Sequence, residues 1–149
     1  ALLAYGASRP TKDGDCIGSL DEQIRRAARK TKLRIPIDRA AIADPPYDYE
    51  DRLQPVDLHF KKLTVWVPER HDLLLMKAVR AARHDVEVLQ QVHKVQPFQL
   101  EVLLERFNRE MGQAIIDPKI LELQFAHIIE VLFGSAAAKK VGRRSNKVR

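Results

Sequence analysis

A chain of 149 residues, 45% apolar and 31% charged, is long enough for one compact domain and too apolar for a disordered segment. No apolar run approaches the ~20 residues that cross a bilayer, and the single cysteine, Cys16, excludes an internal disulfide and fits a reducing, cytoplasmic setting. The net charge of +6 equals the six cations Lys139, Lys140, Arg143, Arg144, Lys147 and Arg149, which have no acid among them, so the body is near neutral and a plain nucleic-acid-binding fold is disfavoured.

Ala1 to Tyr5 is a short apolar stretch that reads as the end of a helix, with Gly6 as its stop. Thr11 to Ile17 reads as a short strand, on which Asp13 and Asp15 share a face because side chains alternate. Two neighbouring carboxylates repel unless a cation lies between them, and hard oxygen donors of this kind suit Mg²⁺. Gly14 between them weakens a strand by ~1 kcal/mol and is a place for a bulge. Ser19 and Glu22 have the spacing of a capping box, and Ile24, Ala27 and Ala28 then give the apolar stripe of a helix to about Lys32. The opposite face carries Arg25, Arg26, Arg29 and Lys30, which reads either as solvated surface or as a face that steers a polyphosphate.

Leu33 to Asp51 is broken by Pro36, Pro45 and Pro46 and acidic at Asp48, Glu50 and Asp51, so a short element near Arg39 to Ile42 and a long loop are expected. Tyr47 and Tyr49 in that loop are able to stack on a base. Val56 to Phe60 and Leu63 to Val67 alternate with period two and suggest a hairpin across Lys61 and Lys62, with Asp57 and His59 on the polar face. Four helices follow. The first starts near Glu69 with Leu75, Val79 and Ala82 on one face, and the second is capped by Asp85 and carries Val88, Leu89, Val92 and Val95. Pro97 opens the third, with Leu100, Leu103, Leu104, Phe107 and Met111 inside and Gly112 as its stop. Asp117 and Pro118 supply an N-cap and a first-turn proline for the fourth, which buries Leu121, Phe125, Ile128, Ile129 and Leu132 and ends at Gly134. The expected fold is mixed α/β of the α+β type: a small mixed sheet core over residues 1–71, a helical half over 72–134, and a basic flexible tail over 135–149. The five histidines lack metal-ligand spacing, which argues against zinc.

The run Gly6-Ala7-Ser8-Arg9-Pro10-Thr11-Lys12-Asp13-Gly14-Asp15 resembles the acidic motif of the polymerase-beta-like nucleotidyltransferase superfamily, and within it the small bacterial minimal nucleotidyltransferases of toxin–antitoxin and abortive-infection type. A second block, His71-Asp72-Leu73-Leu74-Leu75-Met76-Lys77-Ala78-Val79-Arg80 followed by His84-Asp85, resembles the downstream Asp-Leu-x-x-x-Lys-x-x-Arg…Lys-Asp stretch of the same proteins. The resemblance covers about Ala1 to Leu104, and the family's opening Gly-Gly or Gly-Ser turn is expected upstream of Ala1. It implies that Asp13 and Asp15 hold Mg²⁺ and a nucleoside triphosphate, with Arg9 and Thr11 beside the phosphates. It implies that Lys77 reaches a phosphate, with Arg80 beside it, and that Asp85 caps its helix or anchors Lys77 or Arg80. The superfamily recruits a third carboxylate from a neighbouring strand, for which Asp57 is the candidate. The implied reaction moves a nucleoside monophosphate onto a hydroxyl of a protein or RNA, in a toxin–antitoxin or defence system with a cognate antitoxin. A catalytically degenerate relative, binding a protein or nucleic acid through its helical half, stays open beside it.

Overall fold

The structure, a computed structural model, describes residues 2–7, 14–16, 22–30, 37–39, 45–57, 59 and 64–142. The chain divides into two compact units, one of residues 9–42 and one of residues 1–8 with 43–149.

The smaller unit is a strand–helix–strand module. Strand β1 (Gly14–Cys16) is followed by helix α1 (Glu22–Lys30) and strand β2 (Ile37–Arg39). The two strands run parallel, which the helical crossover permits. Gly14 pairs with Ile37, Asp15 with Asp38 and Cys16 with Arg39. That register is uninterrupted, so Gly14 does not introduce a bulge between β1 and β2. The element expected near Arg39 to Ile42 is β2, lying slightly earlier.

The larger unit starts with a 3-10 turn, Leu2–Tyr5, closed by Gly6 at φ +84°. A Cβ there would also lie 3.2 Å from Val95 Cγ1, so both backbone and space favour glycine. A second 3-10 turn spans Tyr49–Arg52 and leads into β3 (Gln54–Val56), which pairs antiparallel with β4 (Val65–Val67). The helices α2 (Arg70–Ala78), α3 (Arg83–Val95), α4 (Leu100–Glu110), α5 (Pro118–Phe133) and α6 (Ser135–Ala138) complete it.

The core of this unit forms where the apolar stripes meet. Leu74, Leu75, Leu89, Val92, Leu103, Phe125, Ile128 and Ile129 are fully buried, and the Phe107 and Phe125 rings stack at 4.1 Å. The Asp117 carboxylate accepts from Lys119 N at 2.8 Å and starts α5, and Gly134 at φ +88° ends it, as the sequence spacing suggests. Among the described residues no helix is long and apolar enough to cross a membrane.

Three expectations are corrected. Strand β3 stops at Val56, so Asp57 is not on a strand: its Oδ1 accepts from His59 N at 3.0 Å, and His59 takes φ +55°, turning the chain. The Lys61–Lys62 turn lies outside the described residues. Asp85 does not cap α3. The N-cap is Ala82, and Asp85 lies buried in the first turn, engaged by cations from α2 and the turn after it. Ser135–Ala138, expected to be part of a flexible tail, is helical, with Ala137 buried and Val141 packed on the core.

Candidate functional site

Two groups of residues carry chemistry, one in each unit. In the smaller unit the paired positions Asp15 and Asp38 put an acidic residue on each of two adjacent parallel strands. Arg9, Thr11 and Asp13 lie outside the described residues. Asp38 is an acid that the sequence reading did not select. The signal available for it was an Asp between an apolar residue and Arg in Ile37-Asp38-Arg39, after a helix long enough to return the chain parallel to β1.

In the larger unit, the second sequence block folds as the turn between α2 and α3. Ala81, at φ +45°, makes that turn, and its N–H donates to Lys77 O at 2.8 Å. The strained turn brings Lys77 and Arg80 onto one carboxylate. Asp85 Oδ1 lies 3.1 Å from Lys77 Nζ, while Arg80 donates from Nε to Oδ2 at 2.9 Å and from Nη2 to Oδ1 at 3.0 Å. Burial alone would push the Asp85 carboxyl up, but the bonds from Lys77 and then Arg80 hold it below the usual range. Two cations against one carboxylate leave a residual positive charge, and the Arg80 side chain is 62% exposed. A planar guanidinium so placed can take a phosphate oxygen pair. Lys77, Arg80 and Asp85 are thus brought together as the resemblance anticipates, with Asp85 as anchor of both.

Asp57 is engaged within its own turn. Its side chain is 79% exposed and pairs with His59 Nδ1 at 3.1 Å.

The larger unit also holds a buried ionic network that sequence reasoning did not identify. Five consecutive residues of α2, His71 to Leu75, are buried, so its polar members require partners. Arg52 meets Asp72 with two bonds, Nε to Oδ2 at 2.8 Å and Nη2 to Oδ1 at 3.1 Å, and also donates to Glu110. Arg106 Nη1 donates to Asp72 Oδ1 at 2.8 Å and to Glu69 Oε2 at 2.6 Å. His71 sits between Glu69 Oε1, 2.8 Å from Nδ1, and the Gln99 N–H, which donates to Nε2 at 2.9 Å. The Gln99 donor requires a lone pair on Nε2, which places the ring proton on Nδ1. Glu110 in turn accepts from Asp48 N at 3.3 Å, and Tyr47 N donates to the Glu110 carbonyl at 3.2 Å. Residues 47–52 are therefore fastened to α2 through Asp72 and to α4 through Glu110.

The network predicts acid sensitivity. Burial alone would raise the Glu69 carboxyl, but bonds from His71 and Arg106 outweigh it and hold it at about 2, against an ordinary 4.5. A depressed folded value contributes stability that is complete above the unfolded value and is lost as pH falls toward the folded one. The urea midpoint should therefore decline between about pH 4.5 and about pH 2, and a Glu69→Gln chain should show a shallower decline. An identical slope in both would remove Glu69 from the account.

A family model described as "Nucleotidyltransferase of unknown function (DUF6036)" matches residues 1–130. No curated protein and no solved structure matches the chain.

Proposed function

We propose that this chain, which belongs to the DUF6036 family of nucleotidyltransferases of unknown function, transfers a nucleoside monophosphate from a nucleoside triphosphate to a hydroxyl of a protein or RNA. The observation that carries this reading is the pairing of Asp15 with Asp38. Positions paired across neighbouring strands share a face of a sheet, and the resemblance adds Asp13 to the set. An all-carboxylate set of this kind fits Mg²⁺, a hard cation that takes oxygen ligands. Asp13, Asp15 and Asp38 would hold it, with Asp38 in the role first given to Asp57. When bound, the metal supplies charge neutralisation and alignment of the triphosphate.

The chain's own residues do the rest. By the resemblance, Arg9 and Thr11 would contact the phosphates. In the larger unit Lys77 and Arg80 carry one net positive charge beyond Asp85, and the resemblance gives them a phosphate contact. The acceptor hydroxyl attacks the α-phosphorus, forming one P–O bond. The bond to pyrophosphate breaks, and the hydroxyl proton passes to solvent. The toxin–antitoxin setting and a cognate antitoxin follow from the resemblance and frame the same reading.

Calorimetric titration of ATP, CTP, GTP and UTP with Mg²⁺ into the full chain tests the binding half. At least one should bind, and Lys77→Met should weaken it ~10-fold, as expected for loss of one charge-assisted phosphate contact. Binding of none of the four would contradict the proposal.

A further inference from the structure

The near-neutral body conceals a local separation of charge. Residues 25–34 hold Arg25, Arg26, Arg29, Lys30, Lys32 and Arg34 and no acid. Four of these six cations fall on α1, and that helix buries none of its residues. Arg26, Arg29 and Lys30 are exposed. Arg25 and Arg29, and Arg26 and Lys30, stand four residues apart, so the cations form one continuous face and repel one another.

Elsewhere among the described residues most arginines are paired, Arg70, whose Nε has no partner, being an exception. Arg52, Arg80, Arg83, Arg106 and Arg109 each lie against a carboxylate. On α1, Arg26 alone has one among the described residues, Glu22 at 3.6 Å, with both side chains largely exposed. Arg25 Nε is buried without a partner. Packing does not require this helix face to be basic, and among the described residues only Glu22 lies against one of its cations. A polyanion would neutralise it.

From this charge we infer that α1 is a docking face for the phosphate backbone of an RNA strand, which supplies the acceptor hydroxyl. The acceptor half of the inference rests on the transferase reading above, whereas the docking half does not. A membrane is the poorer occupant, because Ile24 is the one sizeable apolar residue of α1 and interfacial helices insert a broad apolar face. RNA is the better acceptor than DNA, because every nucleotide brings a hydroxyl together with the phosphate that the cations hold. Helix α1 directly links β1 and β2, the two strands bearing Asp15 and Asp38. A strand held there is therefore bound by the same module that carries the acids.

The test uses the full chain and a fluorescein-labelled single-stranded RNA of mixed sequence, followed by anisotropy across a salt series with no nucleoside triphosphate present. Replacing Arg26, Arg29 and Lys30 by Gln should weaken binding ~50-fold at ~0.15 M salt and reduce the salt slope by ~2, the loss expected for three phosphate contacts on a single strand. The basic end is separated by a second variant, Arg143, Arg144, Lys147 and Arg149 all to Gln, which should lose less. Circular dichroism checks folding. If the triple variant unfolds, Arg29→Gln and Lys30→Gln singly should each weaken binding ~4-fold. Unchanged binding in the α1 variants overturns the inference, as does binding that vanishes only in the tail variant. Tighter binding to phosphatidylserine vesicles than to RNA also overturns it. RNA bound normally by a chain that transfers nothing contradicts the transferase reading and leaves the docking face standing. Transfer without RNA binding contradicts the docking face alone.

Discussion

Replacing Asp72 by alanine is expected to cost about 3–5 kcal/mol of folding stability, a large share of the ~5–15 kcal/mol that a domain has. The Asp72 side chain is fully buried and accepts from two arginines on different elements, Arg52 beside β3 and Arg106 on α4. Without it, both guanidiniums stay largely buried, 22% and 19% exposed, with only Glu110 and Glu69 to compensate. The cost comes less from the bonds lost than from the charges left behind. Burial alone would lower the Arg52 value, but the Asp72 bond, and after it Glu110, raise it well above the ordinary range, so proton loss offers no escape. Urea unfolding of the full chain measures the effect. Asp72→Asn should lose nearly as much, since it keeps the volume and removes the charge, and a loss below about 1 kcal/mol would reduce the network to surface ion pairing.

The second large effect is on chemistry. Asp15→Asn and Asp38→Asn should each lower nucleotidyl transfer by at least ~10³-fold, about 4 kcal/mol of transition-state stabilisation, because both remove a carboxylate from the proposed metal set. Asp57→Asn should leave transfer near the parent level, since Asp57 is exposed, past the end of β3, and pairs with His59. The opposite ranking, with Asp57 essential and Asp38 dispensable, would return the third acid to its first candidate. Full activity in all three variants would favour a fold that binds a partner without catalysing transfer.

Much of the helical half was legible because its signals are local. Asp117-Pro118 and Gly134 bound α5 by capping chemistry, and Leu121, Phe125, Ile128 and Ile129 mark its inner face by spacing. The second block was legible as a motif, and its Lys77, Arg80 and Asp85 converge because one short turn joins them. Three features were not legible, each because a distant partner decides it. The Arg52–Asp72 and Arg52–Glu110 pairs span 20 and 58 residues, beyond any periodicity. The pairing of Asp15 with Asp38 depends on strand register, and only three residues of each strand pair. The end of β3 at Val56 depends on an Asp57 side chain bonding the His59 backbone, which competes with the alternation that Val56 to Phe60 displays. Val95 fits the apolar stripe of α3 yet is 61% exposed, because it falls in the last turn, where the helix ends at Gln96.

The most direct measurement incubates the full chain with Mg²⁺, RNA and protein acceptors, and each nucleoside triphosphate labelled in turn at the α- or the γ-phosphate. Label from the α-position should become attached to an acceptor, with pyrophosphate released, and Asp15→Asn and Asp38→Asn should abolish it. Label appearing on the acceptor from the γ-position alone, or α-label transfer undiminished in both variants, would contradict the account.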